Sequence, residues 1–103
     1  MHSTPYDTII RGGTVVTENG CTEQDLGLRD GKIASVGTGP EATAAEVIDA
    51  RGLIVLPGGV DSHCHIEQMS GAGLMNADTF QTATRSAAMG GTTTTISFAA
   101  QHA

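Results

Sequence analysis

Apolar and β-branched positions come in short bursts through the first half of the chain, each closed by a turn. Tyr6–Arg11 carries Ile9 and Ile10 and is expected to stop at Gly12-Gly13. Thr14–Thr17 is β-branched throughout and ends before Asn19-Gly20, a hairpin dipeptide because both residue types tolerate positive φ. Gln24–Arg29 and Lys32–Val36 flank a second such turn, Asp30-Gly31. Val47–Asp49 and Leu53–Leu56, separated by Arg51-Gly52, complete a set of short strands that predicts a meander or one piece of a β-sandwich.

The pattern changes after Pro57-Gly58-Gly59. Val60–Ile66 reads as a strand and Glu67–Ala77 as a loop containing glycine and methionine. Phe80, Ala83, Thr84, Ala87 and Ala88 then fall on one face of a helix. Asp78 or Asn76 is expected to cap its start, and Gly90-Gly91 to end it. Thr92–Phe98 follows as a β-branched strand. Strand, helix and strand in that order make a βαβ unit with parallel strands and a right-handed crossover. One such unit leaves most of its sheet in water, so the sequence reads as the N-terminal part of a larger α/β protein.

Composition narrows the function classes. In 103 residues there are 11 acidic and 5 basic side chains, a net charge of −6, and 39% apolar residues against 16% charged. That balance is not the balance of a disordered chain. Arg11, Arg29, Lys32, Arg51 and Arg85 are scattered and form no basic stripe, which argues against a nucleic-acid partner. No apolar run approaches the length of a membrane span, and Met1–Asp7 shows no secretory pattern, so the expected location is the cytoplasm. In that compartment Cys21 and Cys64 are expected to be free thiols.

The densest chemistry is Asp61-Ser62-His63-Cys64-His65. Strand alternation would put Asp61, His63 and His65 on one side and Ser62 and Cys64 on the other. Two histidines so spaced have Cα atoms roughly 6.5–7 Å apart, at a rise of ~3.3 Å per residue. Their imidazoles can then share one ion at about 2.0–2.1 Å, zinc or a comparable divalent metal. A bare His-x-His is weak evidence, since two surface histidines give the same spacing. Its place at the end of a strand that opens a βαβ unit strengthens it, because barrel active sites lie at the C-terminal ends of strands.

Leu56-Pro57-Gly58-Gly59-Val60-Asp61-Ser62-His63-Cys64-His65 resembles the PGxxDxHxH pattern of the amidohydrolase superfamily. Ile9–Val16 and Asp30–Gly37 look like the opening hairpins of that superfamily's sandwich domain. Asp78-Thr79-Phe80 and Ala87–Thr94 are similar to the first barrel helix and second strand of dihydropyrimidinases and hydantoinases. Where dihydroorotases place an arginine two residues after the second histidine, this chain has Glu67. That departure looks more like the dihydropyrimidinase branch.

The resemblance implies an α/β protein: a partial β-sandwich domain at 1–57, then the start of a metal-dependent (β/α)8 TIM barrel at 58–103, truncated. It implies two divalent metal ions, zinc by expectation, with His63 and His65 on the more buried one. The bridging carboxylated lysine, two more histidines and a proton-shuttling aspartate would come from later strands. Lys32, the chain's one lysine, sits in a hairpin and cannot be that bridge. The implied reaction is opening of a dihydropyrimidine or hydantoin ring to an N-carbamoyl amino acid, by a protein that is a homotetramer at full length. The 103 residues alone are expected to be inactive. Asp61 is either a residue that orients a ligand histidine or a plain backbone acceptor. Met69, Leu74 and Met75 belong to a loop that either shapes the pocket for the ring substituent or simply faces solvent. Cys64 reads as a small packed residue, and His2 and His102 as terminal residues without a role. The rival functions are an allantoinase-like or dihydroorotase-like hydrolase, a metal-free scaffold relative that assembles as a tetramer, and a short metal-binding module.

Overall fold

The computed structural model describes residues 5–99. The chain parts into two compact units between Pro57 and Gly58. Strands dominate, with one helix among the described residues.

In the first unit, β1 (Tyr6–Thr17) pairs antiparallel with β2 (Gly20–Arg29), which pairs antiparallel with β3 (Lys32–Val36). The break expected at Gly12-Gly13 does not occur, and β1 is one strand of 12 residues. The glycines form a bulge instead: the register with β2 shifts between Ile10 and Gly13, and Gly12 adopts φ 76°. The N–H this leaves off the ladder is taken by the Asp25 carboxylate at 2.8 Å, and Arg11 pairs with the same carboxylate at 3.4 Å.

The first turn also differs in detail. Its loop residues are Glu18 and Asn19, and only Gly20 takes positive φ (118°). At the second turn both Asp30 (53°) and Gly31 (73°) are left-handed, as a two-residue hairpin requires.

The unit is not a simple meander. After β3 the chain returns to the free edge of β1, where β4 (Ala44–Asp49) and β5 (Ile54–Val55) both pair with it in parallel. The core under this sheet is small: Ile9, Val15, Leu26 and Ala50 are buried. Ile33, Val36 and Leu56 stay exposed and line an open apolar groove with Val15 and Leu26.

At the end of β4, Asp49 makes paired hydrogen bonds with Arg51, at 2.9 Å from Nε and 2.7 Å from a terminal nitrogen. These bonds hold the Asp49 carboxyl down from the ordinary 3.8 to about 2, and raise the Arg51 guanidinium. A carboxyl lowered by folding stabilises above its ordinary value, and that contribution is lost as pH falls. Any acid sensitivity from this pair is therefore confined between about 4 and about 2. Both side chains are exposed, so the effect is small and screened by salt. Stability of Asp49→Asn against pH is expected to lack this acid-limb component and to match the parent in high salt.

In the second unit, β6 (Gly59–Cys64) pairs in parallel with β7 (Thr92–Ser97), and α1 (Phe80–Met89) joins them and packs on β7. Of the expected apolar face, Ala83 and Ala87 are half-covered while Phe80, Thr84 and Ala88 remain exposed. The cap is Thr79, not Asp78 or Asn76. Thr79 Oγ1 accepts from the Thr82 N–H at 3.2 Å, and Thr82 Oγ1 accepts from the Thr79 N–H at 2.9 Å. A threonine thus fills the return position usually held by Glu or Gln. Asp78 instead accepts from the Thr82 hydroxyl at 2.9 Å. At the other end Gly91 (φ 94°) turns the chain into β7.

Candidate metal centre

The two parallel strands end side by side, and the candidate residues cluster at that end. β6 stops at Cys64, so His65 lies just beyond the strand and strand alternation alone does not aim it. Its ring nevertheless meets that of His63. The two Nε2 atoms are 3.1 Å apart and the ring centroids 5.1 Å apart.

Asp61 sits one turn of the pleat earlier. Its carboxylate accepts from the His63 backbone N–H at 3.1 Å, which fixes the backbone that carries the histidine. Cys64 points elsewhere, with Sγ 3.5 Å from the Ile96 carbonyl of β7.

Three residues outside the sequence-level candidates complete the site. Phe98, directly after β7, donates its N–H to the Cys64 carbonyl at 2.7 Å. Its ring stacks on His63 (5.9 Å, 20° between planes) and leans on His65 (5.0 Å, 36°). Gln68 Oε1 lies 2.6 Å from His65 Nδ1. Asn76 donates from its side chain to the His65 carbonyl at 2.9 Å. Phe98 had a usable signal, since it stands where a second parallel strand ends beside the first. Gln68 and Asn76 had none, because their roles depend on how the loop folds back.

That loop is a small hairpin and not open chain. Met69 and Met75 form an antiparallel bridge, closed by Ser70 N–H to the Leu74 carbonyl at 2.7 Å and Gly73 N–H to the Ser70 carbonyl at 2.9 Å. Met69, Leu74 and Met75 are more than half exposed, an unusual state for three apolar side chains so close together. Glu67 is committed elsewhere. At φ 50° its carboxylate reaches the start of α1 and accepts from the Phe80 N–H at 2.8 Å. A helix with no acidic residue in its own first turn thereby gains one from the preceding loop.

The donor set suits a borderline divalent metal. Nitrogens 3.1 Å apart are closer than twice a zinc–imidazole bond of about 2.0–2.1 Å, so one ion can reach both. Two ligands do not close a site, and no group of three or more His, Cys, Asp or Glu that could hold a metal occurs among the described residues. His2 and His102 lie outside the described residues.

Known proteins resemble the chain in sequence and fold. The chain is 50% identical to a D-hydantoinase of Rhizobium radiobacter over 95 residues, 92% of this chain and 20% of that protein. It is 45% identical to an allantoinase of Bacillus licheniformis over 91 residues, 88% of this chain and 20% of that one. A solved D-hydantoinase structure superposes with a TM-score of 0.85 at 49% identity, over 93% of this chain and 21% of the other. The chain belongs to the dihydropyrimidinase/hydantoinase family of amidohydrolases.

Within the hydantoinase family this chain spans about 20% of the length of the curated relatives it matches. A more distant solved neighbour is an N-acyl-D-glutamate deacylase of Bordetella bronchiseptica complexed with zinc and a phosphonate inhibitor. It has a TM-score of 0.58 at 38% identity, over 64% of this chain and 14% of that one. No family model matches the chain. No helix among the described residues is long and apolar enough to cross a membrane.

Proposed function

We propose that the full-length protein is a metal-dependent cyclic amidohydrolase that opens a dihydropyrimidine or hydantoin ring to an N-carbamoyl amino acid. The observation that carries this reading is the convergence of the His63 and His65 Nε2 atoms at the shared end of two parallel strands, in a chain half-identical to D-hydantoinases. On this reading residues 58–103 open a (β/α)8 barrel and residues 1–57 contribute to a sandwich domain.

His63 and His65 hold a divalent ion, zinc by the chemistry of the donors. Such an ion would supply Lewis acidity and a water made acidic near neutral pH. The chain's own residues do the positioning. Asp61 fixes the backbone of His63, and Phe98 covers the faces of both rings. Met69, Leu74 and Met75 offer exposed, adaptable apolar surface to a substituent on the substrate ring. Glu67 supports the dihydropyrimidinase branch: it is engaged with α1, and no arginine stands there to hold a substrate carboxylate.

Formation of N-carbamoyl product from dihydrouracil, hydantoin and allantoin tests the proposal. The full-length protein is expected to open at least one of the first two rings, and the 103 residues alone none. Turnover of allantoin only would move the protein to the allantoinase type. No turnover of any cyclic amide would refute a catalytic role and favour a scaffold.

A further inference from the structure

The Met69–Met75 hairpin is fastened at both feet to one histidine. Gln68, on the entering side, places its amide oxygen 2.6 Å from His65 Nδ1. Asn76, on the leaving side, donates to the His65 carbonyl at 2.9 Å. The feet are also tied to each other, by the Asn76 N–H to the Gln68 carbonyl at 3.1 Å. An amide oxygen only accepts, so this contact favours the neutral tautomer of His65 that carries its proton on Nδ1 and leaves the Nε2 lone pair free. That lone pair is the one directed at His63 Nε2.

We propose that Gln68 and Asn76 are positioning residues for a metal ligand. Gln68 selects the tautomer and ring angle of His65, Asn76 anchors its backbone, and the exposed Met69–Met75 hairpin and His65 therefore shift as one unit. The proposal rests on the reading of His65 as a metal ligand and adds to it a link between the hairpin that would meet the substrate and the ion that would act on it. Outer partners of ligating histidines fix tautomer and orientation, and losing one typically weakens metal binding 10–100-fold.

The test measures zinc affinity of the full-length protein by competition with a chromophoric chelator, alongside the visible spectrum of the cobalt-substituted protein. Gln68→Met keeps the bulk but removes the acceptor, and it is expected to weaken zinc binding about 10–100-fold and to alter the cobalt spectrum. Gln68→Glu keeps an acceptor in place and is expected to bind within a few-fold of the parent. Asn76→Ala is expected to weaken binding less, in the same direction. His65→Ala is the reference. If it binds zinc as the parent does, the metal-ligand reading fails and the proposal with it. If His65→Ala loses zinc while Gln68→Met keeps parental affinity and spectrum, the positioning role alone is overturned. A Gln68→Glu variant as weak as Gln68→Met overturns it too. If Gln68→Met fails to fold, Asn76→Ala decides: weaker zinc binding supports the link between hairpin and ion, and parental affinity overturns it.

Discussion

Full-length protein carrying His65→Ala is expected to lose at least ~10³-fold in ring opening, with one metal ion fewer per chain. Metal polarisation and activation of water contribute several kcal/mol to the transition state, and each 1.36 kcal/mol is a factor of ten in rate. Among the described residues near the pair, each other candidate ligand is already engaged. Cys64 faces the Ile96 carbonyl, Glu67 is held by the start of α1, and Asp61 is engaged with the backbone of His63. His63→Ala should therefore match His65→Ala. Metal content by elemental analysis and steady-state kinetics on dihydrouracil check both. Parental activity in either variant would show that the ring pair is not the metal site.

The second large effect falls on stability. Ile9 is the one fully buried large side chain among the described residues, and it lies beside the bulge that lets β1 run unbroken. Ile9→Ala is expected to cost about 2–5 kcal/mol, the usual range for emptying a packed aliphatic site. Among the described residues of the first unit it shares burial with Val15, Leu26, Ala50 and two glycines, Gly13 and Gly27, so little else can close the hole. Urea unfolding should show a lower midpoint with an unchanged slope. A cost below about 0.5 kcal/mol, the range of a neutral surface change, would mean that Ile9 is not the centre of this core.

Much of this architecture is legible in the residues, and the failures have physical causes. β-branched runs and Asp30-Gly31 locate strands and one hairpin because backbone preference and side-chain shape act locally there. Gly12-Gly13 misleads, since a glycine pair marks a bulge as readily as a strand end. What decides between them is Asp25, 13 residues away, which satisfies the displaced N–H. The helix start is displaced by one residue from Asp78 because Thr79 and Thr82 cap each other, a pairing no single residue announces. Parallel pairing of β4 and β5 with β1 is invisible to local pattern, because it depends on which edge is left free after the first three strands.

The site divides the same way. His63 and Asp61 follow from strand spacing, whereas His65 leaves the strand and is contacted by Gln68, Asn76 and Phe98. Gln68 and Asn76 come from a loop, and Phe98 from just past the end of β7. Their placement is a product of the fold, and only the strand order hinted at Phe98.

The most direct test of the central claim is an anomalous-difference map from crystals of the zinc-loaded full-length protein, collected at the zinc edge. A peak within bonding distance, about 2.0–2.1 Å, of both the His63 and the His65 Nε2 atoms is the predicted result. Zinc bound elsewhere, with the two imidazoles still facing each other and unliganded, would contradict it.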